Sequence, residues 1–239
     1  MATEAVARLD APTTLGLVGL DEAGVASYAF YGHGCADRLL PMHALTTLPA
    51  AMRALHFGSY AMVVEPVATT QRALVEREHA RCLISYDPNI RLNVEPDIQL
   101  WRDTLQWMLQ RTHLLKVSEE DLGLLYPGQM AADLAREWLA KGVCCVVVTH
   151  GGDGASAWRA GEQLRVDPVA VDVVDTVGAG DTFQAALLAG LAERGVWTGQ
   201  ALRDMAAAPM QEVLQFAARA AAVTCSRRGA DMPRREELR

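Results

Sequence analysis

The sequence predicts a three-layer α/β/α protein, in which helices cover both faces of a mainly parallel sheet and a small β lid stands apart. Three observations predict this. From about residue 55, patterns typical of strands and of helices alternate along the chain. The strands in that series, such as RCLISYDPN and VCCVVVTH, are largely apolar, as expected for strands buried on both faces. The residues before them do not follow the alternation and indicate a separate hairpin.

The hairpin is predicted within residues 13–30. TTLGLVGL and VASYAFYG are rich in residues typical of strands, and DEAG between them is typical of a turn. A chain of 239 residues can form one sizeable core with a small appendage. We therefore divide it into a β lid region at residues 1–40 and an α/β domain at residues 41–239.

The first half of the α/β domain is predicted to alternate regularly. The expected elements are a strand at 56–64, a helix at 69–80, a strand at 81–89 and a helix at 95–111. In the second of these helices, Trp101, Leu105 and Met108 recur at helical spacing, so we expect them to share a buried face.

The second half continues the alternation and ends with two helices. The expected elements are a strand at 113–118, a short helix capped by Ser118, a helix at 130–141, a strand at 143–150, two short strands within 155–169, a helix from about Asp181 and a last helix at 211–225. Ser118 opens SEEDLGLLY, and a serine followed by acidic residues is typical of a helix N-terminus. The turn RAGEQ is expected to separate the two short strands.

Composition limits the kinds of partner. The formal net charge of −7 argues against a protein that mainly binds nucleic acid or an anionic membrane. The chain has no run of about 18 apolar residues that could span a bilayer. Its first residues, MATEAVARLDAP, lack the apolar core of a signal peptide, and its five cysteines show no metal-binding spacing. We therefore expect a cytoplasmic protein that binds a small molecule.

The segment VDTVGAGDTF carries the strongest indication of function. Gly178 and Gly180 lie where a strand is expected to pass into a helix. The first amides of a helix have no internal partner and lie at the positive end of its dipole, so together they form an anion site. Asp181 is either a simple cap or a base beside the bound anion. Phosphoryl transfer needs both a stabilised charge and a positioned hydroxyl, and this turn offers a group for each.

The longer string DTVGAGDTF resembles the C-terminal signature of the ribokinase-like (PfkB-type) carbohydrate kinases. Two other segments, YDPNIR at 86–91 and KVSEEDL at 116–122, resemble the branch that contains fructokinases and 2-keto-3-deoxygluconate kinases. VVTHGGDGA at 147–155 resembles the nucleotide loop of the whole family, and AAAVTCSRRGA at 220–230 resembles its closing helix and loop. The hairpin resembles a fructokinase lid. The resemblance covers most of the chain and implies a ribokinase-like fold and an ATP-dependent sugar kinase, with fructose as the expected acceptor.

The resemblance also implies roles for individual residues. Asp181 would take the proton of the sugar hydroxyl, and the amides of Gly178, Ala179 and Gly180 would form an anion hole. The residues expected to contact nucleotide are Ser118, Thr149, Gly151, Gly154 and Gly180. Lys116, beside them, is interpreted either as a surface lysine or as a further nucleotide contact.

Three more residues are expected at the substrate, and two at cations. Arg91 and Asn89 would hold phosphate or sugar, with a solvated turn as the alternative, and Tyr31 would close an aromatic lid over the sugar. Asp121 stands where the family often has a glutamate near Mg²⁺. Asp175 would help to hold a potassium-type cation. The implied cofactors are therefore ATP, Mg²⁺ and K⁺.

One departure from the family pattern leaves alternatives open. The chain starts at about the lid hairpin, and no segment resembles the glycine- and asparagine-bearing N-terminal strand that grips the sugar. We therefore expect the first strand of the usual sheet to be absent. The alternatives are a 2-keto-3-deoxygluconate kinase and an inactive, truncated nucleotide-binding remnant. The resemblance further implies a homodimer formed through the lid.

Overall fold

The computed structural model describes residue 3, residues 5–20 and residues 26–238. Strands β1 (Leu15–Leu20) and β2 (Ala26–Tyr31) pair in an antiparallel sheet with Leu15 opposite Tyr31. This confirms the hairpin predicted from the sequence. The turn expected at DEAG lies outside the described residues.

The main sheet has six strands, arranged in the order in which they occur along the chain. They are β3 (Ala54–Gly58), β4 (Leu83–Asp87), β5 (Leu114–Ser118), β6 (Cys145–Thr149), β7 (Ala155–Arg159) and β8 (Glu162–Val166). The pairs from β3 to β6 are parallel, and β7 and β8 extend the sheet in antiparallel fashion. The prediction of a mainly parallel sheet is confirmed, as is the second hairpin.

Seven α-helices lie within the described part of the chain. They are α1 (Val67–Glu78), α2 (Ile98–Leu109), α3 (Glu119–Leu125), α4 (Ala131–Ala140), α5 (Ala179–Glu193), α6 (Gly199–Asp204) and α7 (Ala207–Cys225). Ser118 caps α3 as predicted, because its Oγ accepts a hydrogen bond from the Asp121 amide at 3.0 Å. None of the described helices has the length and apolar character needed to cross a membrane.

Two hydrophobic clusters, one on each face of the sheet, complete the three layers. The first joins alternate strand residues such as Ile84 and Leu115 to helices α1–α4. The second joins the intervening residues, such as Leu83 and Leu114, to helices α5–α7. Since successive side chains of a strand point to opposite faces, each central strand contributes to both clusters. The predicted face of α2, with Trp101, Leu105 and Met108, is fully buried in the first.

Two predicted boundaries need correction, and one helix was not predicted. The strand expected at 56–64 ends at Gly58, because Ser59 has a left-handed φ of 52° and opens a 3₁₀ turn at Ser59–Met62. Helix α6 was not predicted; it is short, and Thr198 caps it by accepting from the Ala201 amide. Helix α7 begins at Ala207 rather than residue 211, since a proline is tolerated in a first helical turn.

Candidate active site

The glycine turn opens α5 as the sequence indicated, but no strand leads into it, because β8 ends at Val166 and residues 167–178 connect it to the helix without a strand. Gly178 adopts a left-handed conformation with φ 79°, and the helix starts at the next residue. A Cβ atom placed on Gly178 would lie 2.7 Å from the Cβ of Ala230, in the loop after α7. Both the conformation and the close approach of that loop therefore require glycine here.

The amides of this turn are only partly engaged within the protein. The Ala179 amide donates to the Thr176 carbonyl at 3.2 Å, and the Thr182 amide donates to Gly178 at 2.8 Å. Within the described residues, the amides of Gly178 and Gly180 have no hydrogen-bond acceptor. They lie at the N-terminus of a 15-residue helix, where an anion is favoured. From the sequence, the amides of Gly178, Ala179 and Gly180 were all expected to form the anion hole. In the structure, the Ala179 amide is instead engaged by the Thr176 carbonyl and closes the turn.

A buried ion pair lies beneath this turn. Lys116, on β5, donates through Nζ to Asp87 Oδ2, on β4, at 2.7 Å, and each side chain is only 5% exposed. A Cβ atom on Gly180 would lie 3.2 Å from this Nζ. Asp181 is exposed in the first turn of α5, near enough for its charge to raise the pKa of Asp87. Burial raises that pKa more strongly, and Lys116 opposes both effects.

A second polar contact joins α5 to the sheet one helical turn further on. Gln184 donates through Nε2 to Ser85 Oγ at 2.7 Å, and both residues are buried. The same hydroxyl lies 3.2 Å from Nδ1 of His56, on β3. Because Gly180 and Gln184 are four residues apart, both face the sheet. They fix the height and rotation of the helix end that carries Asp181.

The turn after β4 is anchored on both sides. Asn89 has a left-handed φ of 41°, and Ser59 donates to its carbonyl at 2.9 Å. The Ile90 amide donates to Oδ1 of Asp121 at 2.9 Å, and Arg91 donates to the Ile90 carbonyl at 2.8 Å. Residues held in such uncommon conformations cluster at functional sites. The structure thus places Asn89 and Arg91 at the same edge of the sheet as the glycine turn.

The expected nucleotide residues occupy the ends of β5 and β6 and the loop that follows. Ser118 and Thr149 are register partners at the carboxyl ends of these neighbouring strands. Gly151 and Gly154 both have positive φ, 56° and 88°. A Cβ atom on Gly154 would lie 2.1 Å from the Val166 carbonyl, so this glycine is required by the hairpin that follows. The four residues lie together at one edge, and at least one of them has a structural role.

Asp175 connects two loops beside the glycine turn. Its Oδ1 accepts from the Val177 amide at 2.9 Å, and its Oδ2 accepts from the Gly229 amide at 2.8 Å. These hydrogen bonds hold the pKa of Asp175 below its ordinary value. Among the described residues, no three His, Cys, Asp or Glu side chains group together in a way that could hold a metal ion.

The lid touches the α/β domain through aromatic and polar contacts. Phe30, on β2, lies 5.9 Å from the Tyr60 ring between centroids, and the Tyr60 hydroxyl donates to Asp37 at 3.1 Å. Asp37 also accepts from Thr14. Tyr31, the residue proposed to close over the sugar, ends β2 with 64% of its surface exposed.

Sequence reasoning missed the polar groups beneath α5. Ser85 and Gln184 were not singled out, and the interpretation of Lys116 as a surface residue is wrong, because it is buried. A signal was available in the strands. Ser85 and Asp87 alternate with apolar residues in LISYD, and Lys116 interrupts the apolar run of LLKVS. Polar residues at alternate positions near the end of a buried strand indicate one face that approaches a site.

The chain is similar to known proteins over most of its length. Residues 6–237 match the family described as pfkB family carbohydrate kinase. The chain is 39% identical over 180 residues to a fructokinase from Rhizobium leguminosarum bv. trifolii, covering 75% of this chain and 55% of that protein. It is 32% identical over 236 residues to a fructokinase from Escherichia coli, covering 95% of this chain and 72% of that protein.

A solved structure supports the fold. The fructokinase from Vibrio cholerae O395, described with fructose, ADP and calcium bound, matches with a TM-score of 0.78 and 24% identity. The match covers 93% of this chain and 71% of that one. The ribokinase-like fold predicted from the sequence is thereby confirmed. The chain spans between 55% and 72% of the length of these three relatives.

Proposed function

Because the chain belongs to the pfkB family of carbohydrate kinases, we propose that it transfers the terminal phosphoryl group of ATP to a hydroxyl of fructose. The observation that carries the proposal is the glycine turn. Gly178 and Gly180 present amides at the start of α5, and Asp181 stands exposed beside them. The two relatives matched by sequence are both named fructokinase, which favours fructose over 2-keto-3-deoxygluconate as the acceptor.

Asp181 acts as the general base. The sugar binds with a primary hydroxyl against this carboxylate, which takes the hydroxyl proton as the oxygen attacks phosphorus. The amides at the helix N-terminus stabilise the charge on the transferred phosphoryl group. Arg91 and Asn89, at the neighbouring strand end, hold the phosphates or the sugar. Ser118, Thr149, Gly151 and Gly154 lie along the nucleotide.

Mg²⁺ and K⁺ are proposed cofactors with different support. Mg²⁺ keeps several waters and binds through nucleotide phosphates with one or two carboxylates, so a dedicated protein cage is not required. Asp121 fits direct ligation poorly, because it is 6% exposed and its Oδ1 accepts from the Ile90 amide. A contact through water remains the role we propose for it. Asp175 keeps lone pairs beyond its two amide bonds and can take part in a K⁺ site.

The lid and the cell compartment complete the proposal. Residues 1–40 form a lid that excludes water when the sugar binds, with Tyr31 facing the sugar. Residues 41–239 form the nucleotide-binding and catalytic domain. Leu15 and Leu17 leave apolar surface exposed on the lid, which supports a homodimer formed there. We further propose a cytoplasmic location.

The first experiment measures ADP released by the purified chain with MgATP. Fructose, ribose and 2-keto-3-deoxygluconate are supplied in turn, with Asp181→Asn as the control. Fructose should give the highest rate, and the variant should lose about 10²–10⁴-fold in kcat because the base is removed. Equal rates for Asp181→Asn and the unaltered chain would overturn the role of the base.

A folded chain that shows no turnover would also give a clear answer. If a folded chain binds ADP but releases none from MgATP with any of the three sugars, this chain alone is a nucleotide-binding unit and the kinase proposal fails for it. The folded state is checked by the cooperativity of thermal unfolding in the same buffer.

A further inference from the structure

The proposed kinase function assigns no role to the buried ion pair of Asp87 and Lys116. Taking two charges out of water costs several kcal/mol per ion by general estimates, and well-packed apolar residues often serve stability as well or better. Most other ion pairs of the described chain lie at the surface, where each charge is partly hydrated. The Asp87–Lys116 pair is therefore a costly feature that the fold alone does not require.

The pair is also incompletely satisfied. Oδ2 of Asp87 accepts from Lys116, but its Oδ1 is buried without a hydrogen bond of normal geometry within the described residues, and only the nearby Asn89 backbone amide approaches this carboxylate. An unpaired carboxylate oxygen in a buried position adds to the cost. Features that break a local rule without a gain in stability are expected at functional sites.

The position of the pair beneath the glycine turn indicates its role. Lys116 Nζ lies directly under Gly180, at 3.2 Å from where a Cβ would stand. Asp87 holds it there, because the 2.7 Å contact leaves the ammonium little freedom. In a low-dielectric setting a fixed charge acts strongly on a group bound nearby, and it needs no rearrangement during the reaction. The glycine turn is where the transferred phosphoryl group is proposed to bind.

We propose that Lys116, oriented by Asp87, is a positioning residue for the glycine turn, and that its charge favours the terminal phosphoryl group at that turn. The proposal rests on the kinase function proposed above. The same placement favours glycine at position 180, because a Cβ there would lie only 3.2 Å from Nζ of Lys116. The proposal predicts that the pair acts on the terminal phosphate of a triphosphate much more than on ADP.

The test uses the double variant Asp87→Asn/Lys116→Met. Removing one partner would leave an unpaired buried charge and could prevent folding, whereas removing both is often nearly neutral. Two quantities are measured: kcat with MgATP and fructose, and the ratio of the affinities for AMP-PNP and ADP by calorimetry. We expect kcat to fall by about 10²-fold or more and the affinity ratio by about tenfold, with ADP affinity nearly unchanged.

Glu78→Gln is the matched control. Glu78 is also a buried carboxylate, paired with Arg77 at 2.7 Å and with Arg81, but these lie on and after α1, away from the glycine turn. This variant should lose stability and leave both the affinity ratio and kcat as in the unaltered chain. The comparison separates loss of a buried ion pair in general from loss of this one.

The outcomes are distinguishable from failure of the kinase proposal. A folded double variant that keeps kcat and the affinity ratio within about threefold of the unaltered chain overturns the role of the pair. If the unaltered chain shows no turnover with fructose but the affinity ratio still falls in the double variant, the phosphate role stands and the fructokinase activity does not. An unaltered chain that binds neither nucleotide overturns both.

Discussion

The two faces of the main sheet are built differently. On the face covered by α1–α4, the side chains of β4 and β5 are apolar or aromatic to the end of each strand, as with Ile84, Tyr86 and Val117. On the face covered by α5–α7, the same strands begin with Leu83 and Leu114 and then turn polar with Asp87 and Lys116. The first face stabilises the fold, whereas the second changes from core to site along one strand.

This contrast indicates where a substitution should affect activity and where it should affect only stability. Helix α5 contacts both the apolar part and the polar part of the second face. Its C-terminal half packs Leu187 and Leu191 against the second cluster, and its first turn lies over the charged pair. Its two ends, each marked by a left-handed glycine, therefore provide an internal comparison.

The largest effect is expected from Gly178→Ala at the N-terminal end of α5. The left-handed conformation costs a non-glycine residue about 1–2 kcal/mol, and the added methyl would meet Ala230. The turn must shift, and a displacement of about 1 Å at a reacting group can cost about 10²-fold in rate. We expect kcat to fall by at least that factor in the ADP-release assay.

The matched control is Gly195→Ala, just beyond the C-terminal end of α5. Gly195 also has a positive φ, 72°, but a Cβ there would meet no atom within 4 Å. This variant should lose about 1 kcal/mol of unfolding free energy and keep its kcat. Equal losses of activity in the two variants would show that the two ends of the helix do not differ as proposed.

The next largest effect concerns stability on the apolar face. Leu105 is fully buried in α2, so Leu105→Ala should lower the free energy of unfolding by about 2–5 kcal/mol. Urea denaturation measures this loss. The fraction that remains folded should keep its kcat and its KM for ATP, because α2 contributes no residue to the proposed site. A changed KM for ATP in the folded fraction of this variant would contradict the division between the two faces.

Much of the fold could be predicted because strong local patterns and tertiary packing agree. The strand LISYD is largely apolar, and α2 repeats apolar residues at helical spacing, so both were located within a few residues. The end of β3 could not be predicted. HFGSYAMVV reads as one strand, and only the left-handed Ser59, which donates to Asn89 on the adjacent turn, ends it.

The residues of the candidate site were likewise predictable only in part. Gly178, Gly180 and Asp181 were found because a contiguous motif carries them. Lys116 was noticed as a residue of KVSEEDL, but its environment depends on the pairing of β4 with β5 and on the placement of α5 above both. No local pattern contains that information, since the three elements are separated by tens of residues.

A smaller effect is expected at the amino end of the sheet as the pH falls. His113 Nδ1 accepts from the Ile84 amide at 2.9 Å, and burial, with Arg203 and His79 nearby, lowers the pKa of His113 to about 4. The unfolded chain binds this proton near pH 6.5 and the folded chain does not. The free energy of unfolding should therefore fall as the pH is lowered from about 6.5 to 4.

The variant His113→Asn tests that dependence. An asparagine Oδ1 can accept from the Ile84 amide but does not titrate, so the decline in stability over this pH range should be shallower than in the unaltered chain. Urea denaturation at several pH values measures it. An equally steep decline in the variant would mean that other groups, not His113, control acid stability.

The smallest effect compares two helix caps at opposite ends of the sheet. Ser118 caps α3 at the carboxyl end, and Thr198 caps α6 near the amino end, where the Trp197 carbonyl accepts from the Leu83 amide. Replacing either cap with alanine should cost about 1 kcal/mol of unfolding free energy. If the carboxyl end is the nucleotide site, Ser118→Ala should also weaken ADP binding, and Thr198→Ala should not. Because the stability losses match, any difference in ADP affinity between the two variants reports the site alone, and equal affinities would remove Ser118 from it.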